Sequence, residues 1–264
     1  MKRFAGVIFF FLAIPVFAET MDMPDTDLQI VDATNFGCVS LNFAALRYGG
    51  DGESVSLTRC DGANALRGLE AGKFHIALVD EAVIGADFGG KIIPAFYEVL
   101  VGYVHLSNAV TDVRQAGISE VWRGVRPGWS ALGGNASDIH RYGISSGKNG
   151  SEMIESFLKI RTPGRGIVGL NDTAEAILCV SRDPAALALA RYQEEFPGES
   201  VRMLSVEGIP PSRQNIENGK YPLRRRYVWA VAASAPESVR KFLPYLSGDE
   251  FYRALLAEDL LPAR

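Results

Sequence analysis

The run RYGISSGKNGS, residues 141–151, sets Arg141 and three glycines among four small hydroxyl or amide side chains, just ahead of the helix-like EMIESFL. Hydroxyls, backbone N–H groups and a guanidinium fork at a helix entrance are the donors an oxyanion takes up. The first N–H groups of a helix are unpaired, and its dipole favours negative charge there. The same residues make ordinary turns, since Gly tolerates positive φ and Ser and Asn bond their own backbone. Anion cradle and plain loop both stand on the sequence. A nucleotide P-loop does not, because it needs four residues between its glycines and Ser or Thr after the lysine. Gly143 and Gly147 enclose only three residues, and Asn149 follows Lys148.

Covalent and metal chemistry find less support. His75, His105 and His140 are scattered at no metal-ligand spacing, and no G-x-S-x-G, H-E-x-x-H or paired-cysteine zinc signature occurs. No nucleophile is poised beside a base, so neither an enzyme nor a cofactor is expected. His75 and His105 fall in strand-like segments, as core or edge residues. Cys38, Cys60 and Cys179 are odd in number and allow at most one intramolecular bridge. A Cys38–Cys60 disulfide in an oxidising compartment and a pair of free buried thiols are both open.

The elements that must carry these residues begin with a leader. Lys2 and Arg3 precede an apolar run from Ala5 to Ala18, which ends in Val16-Phe17-Ala18 before Glu19. This predicts a signal peptide over residues 1–18, cleaved near Ala18. No later segment approaches the roughly 20 apolar residues of a membrane span. A soluble periplasmic or secreted protein is the expectation. Cleavage removes two basic residues, so 25 basic against 31 acidic side chains leaves a formal charge of −6 instead of −4. An acidic exported chain is a poor partner for nucleic acid. With 47% hydrophobic residues, the 264 − 18 = 246 that remain can form one large or two small domains.

Beyond the leader, strand-like and helix-like segments alternate, which predicts an α/β architecture. LQIVDA (28–33), HIALVD (75–80), FYEVLVGYVHL (96–106) and YVWAVAA (227–233) read as strands. Phe36, Val39 and Phe43 have the spacing of one helix face, Leu66 and Leu69 mark a second helix, and Ile118, Val121, Trp122 and Val125 a third. Trp122 and Trp129 are read as core. Val239, Phe242, Leu243 and Leu246 form an amphipathic helix behind Pro236. No low-complexity linker interrupts the pattern, so two domains would be joined by strands crossing near 103–110 and 220–228, with a ligand cleft between lobes.

Four stretches, in order, resemble a family. NAVTDVRQAGISEVWRGVRPGWSALGG (108–134), DPAALAL (183–189), SVEGIPPSRQNIENGKYPLRRRYVWAV (205–231) and SVRKFLPYLSGDEFYRALLAEDLLP (238–262) are similar to segments of phosphate-binding periplasmic proteins of ABC importers, the PstS-like group. DPAALAL departs by carrying alanines where the family has the glycines of P-G-A-I-G-Y. The likeness covers nearly all of 28–262. It implies a two-lobed, type II-like periplasmic-binding-protein fold, with residues 19–104 plus 225–264 as one lobe and 105–224 as the other. It further implies a monomer that captures phosphate or a related oxyanion and delivers it to an inner-membrane ABC permease.

The resemblance also assigns site residues. Thr34 and Asn35, at the first strand-to-helix turn, would donate to the anion. Asp80, closing HIALVD, would accept a ligand proton and repel an oxyanion that has none to give. Arg141 would clamp two oxygens, and Ser145 or Ser146, depending on register, would donate a hydroxyl. RCDGANAL (59–66) stands where the family has a glycine- and serine-rich turn, and Asp61 facing the pocket would disfavour an anion. Arg224, Arg225 and Arg226 are read as a solvated structural group. The rival expectation is an exported sensory or protein-interaction module that keeps the fold and has lost phosphate binding; a third is transport of another oxyanion such as a phosphonate.

Overall fold

The computed structural model describes residues 8–9, 28–34, 36–126, 128–144, 150–195 and 200–263. Two compact units share the chain: residues 1–96, 225–258 and 262–264 form the first, and 97–224 with 259–261 the second.

The first unit opens with Ile8–Phe9 (β1), then Leu28–Asp32 (β2), Val39–Gly50 (α1), Val55–Arg59 (β3), Gly62–Glu70 (α2) and Ile76–Asp80 (β4). Lys91–His105 (β5) starts in this unit and ends in the second. β2 is buried at all five positions, as a continuous apolar run predicts for a strand covered on both faces. It lies between β3 and β4, parallel to both, with Asp32 level with Arg59 and Leu78. β1 pairs with the free side of β3, also in parallel.

In the second unit follow Asp112–Val113 (β6), Gln115–Trp122 (α3), His140–Ile144 (β7), Gly150–Leu158 (α4), Ile167–Leu170 (β8) and Thr173–Arg182 (α5). Ala186–Arg191 (β9), Val201–Met203 (β10), Ser205–Val206 (β11) and Arg213–Glu217 (α6) complete it. β9 is antiparallel to β5 and parallel to β7, and β7 is parallel to β8. Two alanines of DPAALAL, Ala186 and Ala188, lie in β9 at the centre of this sheet and are fully buried. Gly143 in β7 lets α3 approach, because a Cβ there would stand 2.7 Å from the Trp122 ring.

The chain returns to the first unit with Arg224–Val231 (β12), Glu237–Phe242 (α7) and Asp249–Ala257 (α8), and closes near Leu261–Pro262 (β13). β12 runs antiparallel to β4, with Tyr227 opposite Asp80. One face of this sheet (Val31, Ala77, Val79, Val228, Ala230) packs on Ala65 and Leu69 of α2. From the other, Trp229 meets Phe251 of α8, and Tyr48 of α1 meets Phe242 of α7 edge-on at 5.2 Å.

The strand readings hold, and two helix readings need correction. Ile118, Val121 and Trp122 are buried on α3, but Val125 lies past its end and is exposed. On α1 the apolar face read from the sequence is the outer one: Val39 is 53% and Phe43 62% exposed, while Leu41, Ala44, Ala45 and Tyr48 face inward. Phe36 precedes the helix and packs on Phe96 and Tyr227. All three cysteines are free.

Candidate functional site

In an open parallel sheet the strand ends that point toward the following helices carry the ligand-binding groups. At that edge of the first unit, β2 ends in Asp32, β3 in Arg59 and β4 in Asp80. Asp32, only 1% exposed, organises the turn into α1. One carboxylate oxygen accepts from Thr34 N at 2.9 Å and Thr34 Oγ1 at 2.6 Å, and the other accepts from Cys38 N at 2.8 Å. Thr34 Oγ1 in turn accepts from Gly37 N at 3.0 Å. Gly37 has φ +69°, and Arg59 lies so close over it that its guanidinium occupies the place a Cβ would take. Arg59 Nε stands 3.5 Å from the Asp32 carboxylate, a charge partner for a carboxylate withdrawn from water.

The next donors of α1 are engaged by a residue far along the chain. Glu258, just past α8, accepts from Val39 N at 3.0 Å and Ser40 N at 2.7 Å, and also from Ser40 Oγ. Three successive N–H groups at the start of α1 thus meet carboxylates. The Cys38 and Cys60 thiols register this charge. Burial, then Glu258 and Asp32, push Cys38 well above the usual thiol range, and burial, then Asp61 and Asp32, push Cys60 up to about 12. Neither is a nucleophile at neutral pH.

Asp80 accepts from Ala82 N at 3.0 Å and so caps the short turn 81–83, beside the pair made by Glu81 and Arg226. Asp61 is exposed and caps α2, accepting from Asn64 N at 2.9 Å. In the second unit, Arg141 is 9% exposed. Its guanidinium donates to Val121 O at 3.0 Å and Trp122 O at 3.4 Å, the carbonyl end of α3, and to Arg165 O. A cation is favoured at that end of a helix dipole. Asn35, Ser145 and Ser146 lie outside the described residues, as does most of the glycine-rich loop.

The structure therefore brings Thr34 and Asp80 to one sheet edge. It adds Asp32, Arg59 and Glu258, which the sequence reading did not single out. Asp32 had a signal, a charge closing the apolar run of β2; Arg59, closing the alternating VSLTR, had a weaker one, and Glu258 had none. His75 Nδ1 accepts from Gln29 N at 3.1 Å, and His105 Nδ1 lies 2.7 Å from Ser107 Oγ, so both rings have local roles. Among the described residues no group of three His, Cys, Asp or Glu is placed to hold a metal, and no helix is long and apolar enough to cross a membrane.

This architecture is the α/β, two-lobed fold of the periplasmic binding proteins. The chain is 23% identical over 158 residues to the phosphate-binding protein PstS of Bacillus subtilis (strain 168), a match over 57% of this chain and 50% of that protein. It thus spans about half the length of the curated relative it matches. Among solved structures it is similar to a possible phosphate binding protein from Planctomyces limnophilus DSM 3776, with a TM-score of 0.70 and 11% identity over 90% of this chain and 93% of that one. PstS from Borrelia burgdorferi gives 0.67 and 16% identity over 90% and 99%. No family model matches the chain. The resemblance read from the four motifs is what these comparisons return, at the low identity of a divergent relative. The curated relative is named a phosphate-binding protein and the Planctomyces limnophilus structure a possible one.

Proposed function

We propose that this protein is an exported substrate-binding protein that captures phosphate or a related oxyanion and passes it to an ABC permease. The observation that carries the reading is the sequence match to PstS, a protein named for binding phosphate. Residues 1–18 act as the signal peptide; β1 leaves with them, and β3 becomes the sheet edge of a periplasmic or secreted monomer. Arg141, Ser145 or Ser146, Thr34 and Asn35 supply the donors, and Asp80 accepts a ligand proton, which selects phosphate over sulfate. Calorimetry on ligand-stripped residues 19–264 with phosphate, sulfate, molybdate and methylphosphonate between pH 5 and 8 tests this. Saturable phosphate binding that excludes sulfate is the expected result, and a folded sample that binds no oxyanion overturns it.

A second reading is favoured by the bonding described above. Both donors of Thr34 are engaged by Asp32, and the Arg141 guanidinium by carbonyls. A same-fold sensory or protein-interaction module without phosphate binding has no need of those groups for a ligand. The calorimetric experiment separates the two.

A further inference from the structure

We infer that the entrance of α1 is closed to external anions by two carboxylates of the same chain, Asp32 and Glu258, so that any oxyanion this protein binds is held without the first N–H groups of that helix. The inference rests on the proposed function only for the choice of phosphate as probe.

The first N–H groups of a helix have no partner within it, which is why such entrances take anions. At α1 the partners are already in place. Cys38 N donates to Asp32, and Val39 N and Ser40 N to the two oxygens of Glu258, at 2.7–3.0 Å. Ser40 Oγ adds a further bond to Glu258, and the hydroxyl and N–H of Thr34 are engaged by Asp32. The two carboxylates come from opposite ends of the first unit's sequence. Asp32 closes β2 six residues before Cys38, and Glu258 follows α8, 219 residues beyond Val39.

Two physical consequences follow for an incoming oxyanion. A carboxylate fixed by the fold competes from within the molecule, at an effective concentration of millimolar order or above, so free phosphate must exceed that to displace it. A dianion brought to the same N–H groups would also meet Asp32 and Glu258 as like charges, with Arg59 beside Asp32. Glu258 is the element that can be removed. Asp32 is buried within the turn it builds, whereas Glu258 reaches α1 from outside it and α1 keeps its inward face without that contact.

The test follows the backbone amides of Cys38, Val39 and Ser40 by NMR in residues 19–264 as phosphate is added, with calorimetry on the same samples, for the wild type, Glu258→Ala and Glu258→Gln. In the wild type these three resonances stay still at phosphate concentrations below millimolar order. In Glu258→Ala the Val39 and Ser40 amides shift saturably, with an apparent affinity at least about tenfold tighter than the wild type shows at those amides. Glu258→Gln keeps an uncharged acceptor, falls between the two, and carries the test alone if the alanine variant does not fold. Phosphate-driven shifts of Val39 and Ser40 in the wild type at sub-millimolar concentrations overturn the inference while leaving the proposed function standing. Calorimetric binding with still amides supports both. No wild-type binding, with binding gained in Glu258→Ala, supports the inference and overturns the proposed function. Folded Glu258 variants whose Val39 and Ser40 amides ignore phosphate overturn the inference.

Discussion

Asp61 illustrates how a charge reads differently once its bonds are known. As a carboxylate in a turn where glycine and serine are expected, it suggests repulsion of an anion; in the structure it caps α2 by accepting from Asn64 N. That N–H, the largest favourable contact, holds the Asp61 carboxyl below its ordinary value, against a smaller opposing effect of burial. The stability it adds is therefore present above the usual carboxylate range and is lost as pH falls through the lowered folded value. Asp61→Ala should cost about 1 kcal/mol in urea unfolding at pH 7, and Asp61→Asn only a few tenths of that, because Asn caps nearly as well without titrating. A loss from Asp61→Ala that is the same at pH 7 and at pH 3 would exclude the cap as its origin.

At the scale of elements, legibility depended on whether one face or two could be apolar. β2 and β4 are short continuous apolar runs, and their burial inside the sheet follows from composition. α1 carries two apolar stripes. Val39 and Phe43 lie on one, Leu41, Ala44, Ala45 and Tyr48 on the other, and only tertiary packing on Phe242 and Tyr245 decides which faces inward. Small residues on the true inner face made the larger side chains of the outer face look like the core. Leu41→Ala should accordingly destabilise by about 2–5 kcal/mol, and Phe43→Ser by less than about 0.5 kcal/mol, in chemical unfolding. Equal costs would mean that the outer face is covered in solution. The candidate site was legible only where its residues end strands. Thr34 and Asp80 could be placed because β2 and β4 could, whereas Arg59 closes β3, a strand that was not read because Ser and Thr interrupt its apolar pattern. The Glu258 contact joins positions 219 residues apart, a relation no local pattern encodes.

For the whole molecule, the chain changes unit at Phe96–Tyr97, Arg224–Arg225, Glu258–Asp259 and Leu261–Pro262, so the units share one chain at four places and the reach of a substitution has to be measured in each. Arg141 is the residue for which this matters most, because the proposed function gives it a ligand while its guanidinium bonds Val121 O, Trp122 O and Arg165 O, all within the second unit. Removing a buried cation from three carbonyls leaves acceptors that water reaches poorly. Arg141→Ala should weaken local stability by about 2 kcal/mol, or roughly thirtyfold in amide protection, across α3 and residues 161–167. β2 and β4 should keep their protection, since none of the acceptors lies in the first unit. Arg141→Lys retains the charge without the planar fork and should recover only part of the loss. Hydrogen exchange on both variants, read beside phosphate calorimetry, separates two origins of any binding defect. A variant that loses phosphate while α3 stays protected has lost a ligand contact. One that loses both has lost the frame that holds β7 to α3, and its binding data would then say nothing about a guanidinium on the anion. Loss of protection extending to β2 and β4 would contradict the confinement of Arg141's bonds to the second unit and show that the two units open together.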